Sequence, residues 1–152
     1  MTDPIRLLLA DDQQMVRAGF RLVLDAQPDM SVVGEANDGA EALQLVDELA
    51  PDVVLMDIRM PVLDGLGATE KIMTSHPEAK ILVLTTFDLD EYVHSALRAG
   101  ASGFMLKDAG PTELLAAIRA VRDGDSVVAP SATRRLIERF IPRQGERAAT
   151  IT

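Results

Sequence analysis

Cysteine is absent from this chain of 152 residues, which excludes disulfides and thiolate-held metals alike. No apolar stretch approaches the roughly 18 residues that a membrane span needs, and the opening, Met1 to Pro4, is polar. A soluble, cytoplasmic protein with no membrane partner is the expectation. Positive charge is also scarce, with 15 Lys and Arg against 24 Asp and Glu and a net charge of -9. These residues are therefore not expected to bind nucleic acid over a broad surface, because phosphate neutralisation needs clustered cations. The two histidines, His76 before Pro77 and His94 in the fourth expected helix, read as surface groups rather than catalytic ones. The methionines are scattered along apolar faces and read as packing.

What the chain does have is 47% hydrophobic content, enough for one domain with a core and a short appendage. Four apolar runs each end in a reactive polar residue: Leu7 to Ala10 before Asp11 and Asp12, Val53 to Met56 before Asp57, Ile81 to Leu84 before Thr85, and Gly103 to Leu106 before Lys107. Unbroken apolar runs of this length read as strands of a parallel sheet buried on both faces. In such sheets ligands sit beyond the carboxyl ends of the strands, so three acids, one hydroxyl and one amine converge at a single edge.

Between the runs the period changes to that of helices. Met15, Val16, Phe20, Val23 and Leu24 recur at helical spacing and stop before Pro28, and Ser31 to Ala36 reads as a second strand. Asp38 and Glu41 form a capping-box-like start for a helix carrying Ala42, Leu43, Leu45, Val46 and Leu49. A turn from Met60 to Gly65 leads into a helix that closes before Pro77, and another helix runs from about Leu89 to Ala99, stopped by Gly100. Pro111 opens a helix with Leu114, Leu115, Ile118 and Val121 on one face. Five βα repeats in a row predict an α/β doubly wound sandwich with right-handed crossovers.

Residues 1–124 are expected to form this domain, with Gly124 to Pro130 as its boundary. A linker and linker helix over residues 125–141 should follow, with Leu136 above Phe140 and Ile137 above Ile141 as an apolar stripe in need of a partner surface. Pro142 ends that helix, and residues 142–152 are polar and small, the start of a disordered linker.

Asp11, Asp12 and Asp57 at one edge would repel each other unless a cation neutralised them. A hard divalent ion with oxygen ligands, Mg²⁺ above all, fits, since it takes one or two carboxylates and accepts phosphate oxygens. Asp57 is then a candidate nucleophile toward a phosphoryl group. Thr85 can donate a hydrogen bond to a phosphoryl oxygen, and Lys107 can pair with another as a point charge. Singly, each has a plainer reading: a strand-end Asp is often a helix cap, and a lone Lys a solvated tip. All of them in order at four strand ends favour a site. Gly65-Leu66-Gly67 does not make a dinucleotide loop, because it follows an acidic strand end and Glu70 stands at the third glycine position.

These residues resemble the receiver domains of bacterial two-component response regulators, from about Ile5 to Gly124. The resemblance is carried by Asp11-Asp12, by Met56-Asp57-Ile58-Arg59-Met60-Pro61 with Asp64-Gly65, by Thr85-Thr86 and by Gly103-Phe104-Met105-Leu106-Lys107. It implies a flavodoxin-like sheet of order 2-1-3-4-5. It also implies that Asp57 accepts a phosphoryl group from a sensor histidine kinase, and that Asp12, Asp57 and the backbone carbonyl of Arg59 bind Mg²⁺ with Asp11 helping through water. Such a protein is a signalling phosphoacceptor rather than an enzyme, with self-phosphorylation and slow autodephosphorylation.

The stretch Ala96 to Phe104 and the linker are similar to the NarL/FixJ (LuxR-type) transcriptional regulators, which carry a C-terminal helix-turn-helix domain. The ten residues after Pro142 are too few for one, so DNA contact is expected only through a domain absent here; a stand-alone receiver is the alternative. The resemblance further implies a homodimer on phosphorylation, through the first and fifth helices, and a switch in which Thr85 moves and Phe104 turns inward. Removing such an aromatic from water contributes on the order of 1.5 to 3 kcal/mol; the plainer reading is that Phe104 is core.

Two departures from the family stand out. Asp108 replaces the proline that often follows the lysine, so a trans peptide is expected, and Arg59 with Phe87 occupies the positions that tend to set phosphoryl lifetime. Rivals fit less well. A haloacid dehalogenase-type phosphatase would resemble Asp-x-Asp where this chain has Asp57-Ile58-Arg59, and a flavin module would meet repulsion from Asp11-Asp12 where it needs a phosphate loop. A structural scaffold would not need five converging polar groups.

Overall fold

Strand β1 (Ile5–Ala10) carries Leu7, Leu8 and Leu9, all buried, because both faces of a parallel strand are covered by helices. The computed structural model describes residues 3–86, 90–125 and 127–128. After β1 come α1 (Gln14–Asp25), β2 (Met30–Ala36), α2 (Gly39–Leu49), β3 (Val53–Asp57), α3 (Gly65–Ser75), β4 (Ile81–Thr85), α4 (Asp90–Arg98), β5 (Gly103–Leu106), α5 (Pro111–Arg122) and β6 (Val127–Val128). The sheet is parallel throughout, in the order β2-β1-β3-β4-β5-β6. The expected 2-1-3-4-5 arrangement is present. The addition is β6, two residues of the stretch read as linker, which pair with Gly103 and Phe104.

Helix boundaries follow the local signals. Asp38 accepts from the Glu41 N–H at 2.8 Å, and Glu41 reaches back to the Asn37 N–H at 3.0 Å, one residue earlier than a standard capping box. Gly100 and Gly124 close α4 and α5 at φ 102° and 95°, a region that side chains with a Cβ avoid. Helix α1 departs from its expected face: Met15 is 88% exposed, and the buried positions are Arg17 and Leu24. The stripe facing the sheet thus runs Arg17, Phe20, Leu24 at spacings of three and four, with Met15 turned out.

Helices α2, α3 and α4 pack in sequence on one face. Helix α5 is tied to the turn between α1 and β2 by Arg119, which donates to both Asp29 oxygens at 2.9 and 3.0 Å. Among the described residues no peptide is cis, so Lys107–Asp108 is trans, as expected. Phe87, Leu89 and the stripe Leu136, Ile137, Phe140 and Ile141 lie outside the described residues.

Candidate functional site

Strand register assembles the site. Ala10 of β1 aligns with Met56 of β3, which brings Asp11 beside Asp57. Asp57 aligns with Leu84 of β4, and Thr85 with Leu106 of β5, so Thr85 and Lys107 each stand one step beyond the last. The Lys107 N–H donates to the Thr85 carbonyl at 2.8 Å, fixing where the lysine leaves the sheet. Asp11, Asp12, Asp57, Thr85 and Lys107 therefore share the carboxyl edge.

One atom from each of Asp11, Asp12 and Asp57 lies within 4.8 Å of the others. Lys107 Nζ stands 2.6 Å from Asp11 Oδ2 and 3.2 Å from Asp57 Oδ1, and all three side chains are at most 10% exposed. Asp11 Oδ2 receives no hydrogen bond, so the lysine charge is what holds it. Burial, reinforced by the negative charge of Asp11, raises the Asp57 carboxyl from 3.8 to about 6 against the opposing pull of Lys107. The cluster carries more negative charge than one ammonium can neutralise.

Mg²⁺ fits this donor set on three counts. The donors are all oxygen, they are close enough to share one small cation, and a buried carboxylate oxygen is left without a hydrogen bond. Asp12 and Arg59 line the same groove of about 480 Å³, with Ile58, Met60, Pro61, Asp64 and Leu66. Of the three clustered acids, Asp12 opens onto that groove.

The β3–α3 loop is pinned against the site. The Gly65 N–H donates to Ile58 O at 2.8 Å, and a Cβ on Gly65 would stand 1.9 Å from the Asp57 carbonyl oxygen. No other residue fits there without moving the end of β3. The Gly39 N–H donates to Leu63 O at 2.9 Å, joining the loop to α2. Between these anchors, Leu63 N–H closes on Pro61 O at 2.7 Å and Val62 takes φ 69°, a strained value for a β-branched residue, while its side chain is 84% exposed. Strain held at the rim of a polar cluster is characteristic of a working loop.

Phe104 is fully buried and Thr85 is 1% exposed. His76 is occupied elsewhere, with Nε2 2.5 Å from Asp47 Oδ1, and His94 is on α4. Two residues that touch the site were not singled out from sequence. The Gln13 N–H donates to Asp11 Oδ1 at 2.8 Å, and Arg17 donates to the Asp11 carbonyl. Gln13 acts through its backbone and leaves no sequence signal. Arg17 does leave one, a charge on the Phe20–Leu24 stripe.

A parallel sheet with this order and an acid cluster facing a lysine across its carboxyl edge defines a receiver-type α/β protein. Residues 7–119 match the response regulator receiver domain, and the chain belongs to that family. It is 51% identical over 125 residues to the uncharacterised transcriptional regulatory protein YxjL of Bacillus subtilis, covering 82% of this chain and 57% of that protein. It is 46% identical over 149 residues to the oxygen regulatory protein NreC of Staphylococcus aureus, covering 97% of this chain and 69% of that one. The crystal structure of a LuxR-family two-component response regulator from Aurantimonas sp. superposes with a TM-score of 0.87 at 34% identity, over 91% of this chain and 99% of the other. The chain is thus a receiver domain of a two-component response regulator of the LuxR family, spanning little more than half the length of YxjL. No helix among the described residues is long and apolar enough to cross a membrane.

Proposed function

We propose that Asp57 is the phosphoacceptor of this receiver, charged by a phosphohistidine of a partner sensor kinase in a Mg²⁺-dependent step. The observation that carries this reading is the convergence of Asp11, Asp12 and Asp57 within 4.8 Å, with Lys107 3.2 Å from Asp57. At neutral pH the Asp57 carboxyl, at about 6, is largely ionised and available as a nucleophile. Its oxygen attacks phosphorus, the N–P bond breaks, and the electron pair returns to the imidazole nitrogen of the donor. Lys107 pairs with one phosphoryl oxygen and Thr85 donates a hydrogen bond to another. Asp12, Asp57 and the Arg59 carbonyl would hold Mg²⁺, with Asp11 acting through water; the ion supplies charge neutralisation at the phosphoryl oxygens.

Thr85 and Phe104 form the switch. Thr85 is drawn toward the phosphoryl group, and Phe104 holds its inward position more firmly behind it. The output is dimerisation through α1 and α5. Met15 and Leu22, seven residues apart on one face of α1, are 88% and 77% exposed and supply apolar contact there. Because the relatives are transcriptional and oxygen regulatory proteins longer than the matched region, we assign the end of the pathway to DNA binding by a part of the protein beyond these residues. The setting is cytoplasmic, and the protein is a signalling phosphoacceptor with slow autodephosphorylation.

The test is incubation with acetyl phosphate and Mg²⁺, read by intact mass and size exclusion for wild type and Asp57→Ala. A phosphate adduct that needs both Mg²⁺ and Asp57, with a shift toward dimer, is expected. An adduct that survives Asp57→Ala overturns the assignment of the acceptor, and one that forms under chelation overturns the Mg²⁺ dependence. An adduct with no change in size overturns the dimer output and leaves the acceptor standing.

A further inference from the structure

Arg17 carries a full charge on the face of α1 that packs against the sheet, with its side chain only 8% exposed. A guanidinium so placed requires partners, and the surrounding atoms provide them. Its Nε donates to Glu35 Oε1 at 3.0 Å, and its Nη1 donates to the backbone carbonyl of Asp11. Glu35, on β2, is gripped a second time by Arg21 Nη1 at 2.7 Å. Burial pushes the Glu35 carboxyl up, but the hydrogen bonds from Arg21 and Arg17 outweigh it and leave it below its usual range. Arg17 is thus anchored on β2 and spends its remaining reach on Asp11.

Asp11 is held at three points. Its N–H donates to Ala36 O at 3.0 Å, its Oδ1 accepts from the Gln13 N–H at 2.8 Å, and its carbonyl accepts from Arg17. The group left over is Oδ2, the buried oxygen without a hydrogen bond, 2.6 Å from Lys107. Arg17, Asp11 and Asp57 also line a common void of about 10 Å³, at the lower limit for a single water. The carbonyl that Arg17 holds belongs to the peptide joining Asp11 to Asp12, so its orientation sets where both carboxylates go.

We propose that Arg17 is a positioning residue for the cation site: held by Glu35, it fixes the Asp11–Asp12 peptide and so presents both carboxylates to a divalent ion. The inference rests on the cation role proposed above. A helix staple alone would predict something different. A staple between α1 and β2 affects folding stability and leaves the intrinsic affinity of the folded protein for Mg²⁺ unchanged, whereas a positioning residue changes that affinity.

The experiment is calorimetric titration of Mg²⁺ into wild type, Arg17→Met, Arg17→Lys and Glu35→Gln, with thermal melts of each in metal-free buffer. Supporting groups behind metal ligands typically tune affinity by about 10- to 100-fold. Arg17→Met is expected to weaken Mg²⁺ binding by about tenfold on that scale. Arg17→Lys should fall between it and wild type, because an ammonium lacks the fork that reaches two acceptors. Glu35→Gln should weaken binding in the same direction by less. A folded Arg17→Met protein that binds Mg²⁺ as wild type does, with a lowered melting temperature, overturns the inference in favour of a staple. Should Arg17→Met fail to fold, Glu35→Gln decides: unchanged affinity overturns the inference, and weakened affinity supports it. A wild type that binds no Mg²⁺ overturns the cation role itself, and this inference with it.

Discussion

The two edges of the sheet treat charge in opposite ways. At the amino edge several charged side chains among the described residues have polar partners close to solvent. Arg119 takes both oxygens of Asp29, the Arg6 N–H meets Asp52 Oδ2 at 2.8 Å, His76 meets Asp47, and Lys80 caps the Arg122 carbonyl. At the carboxyl edge three carboxylates cluster, one lysine reaches two of them, Asp11 and Asp57, and Asp57 is raised to about 6 by burial and by Asp11. Cavity size does not follow chemistry, since an open groove of about 890 Å³ lies at the amino edge beside Arg6, Asp29 and Asp52. Matched charge near solvent contributes little and asks for no ligand. Unmatched charge in a buried site stores free energy that a cation can release.

The largest way to sharpen this contrast is to remove the shared cation. Lys107→Met leaves Asp11 and Asp57 buried without a counter-charge and should lower metal-free stability by about 3 to 5 kcal/mol in urea unfolding. Saturating Mg²⁺ should restore most of it; stability that stays low with Mg²⁺ present would break the comparison.

Next is the frustrated acid itself. The folded protein holds the Asp57 proton more tightly than the unfolded chain, so its contribution to stability falls as pH rises from 3.8 to about 6. Above that window the charged form costs about 3 kcal/mol, at 1.36 kcal/mol per pKa unit. Asp57→Asn should therefore stabilise the metal-free protein by about that amount at pH 7, and the gain should vanish near pH 4. A gain that persists at pH 4 would point to packing rather than charge.

The smallest effect belongs to the amino edge. Arg119 and Asp29 are 39% and 41% exposed, so Arg119→Ala should leave the urea midpoint within replicate scatter, with any residue of an effect erased by salt. A loss comparable to that of Lys107→Met would mean that the two edges do not differ.

Much of the fold could be read in advance because its signals are local. Apolar runs of four residues, Asp38 with Glu41, Gly100, and Pro111 each specify an element without reference to distant parts of the chain. Two features could not be read so. Val127–Val128 becomes β6 because β5 offers it an open edge, and Met15 is displaced to solvent because Arg17 takes the inward place beside Glu35. Both outcomes depend on partners far away in sequence.

For the candidate site the same division holds. Residue types and strand-end positions alone determined that three acids, a threonine and a lysine would meet at one edge, since a parallel sheet gathers its carboxyl ends whatever fills its loops. Only the tertiary structure decided how they meet. Register put Lys107 2.6 Å from Asp11 and 3.2 Å from Asp57. Packing forced Gly65 against the Asp57 carbonyl. Burial raised Asp57 to about 6, and a buried arginine on α1 took hold of the peptide between the two acids. Distances and dielectric belong to the assembled fold, because they arise between segments that the chain itself holds apart.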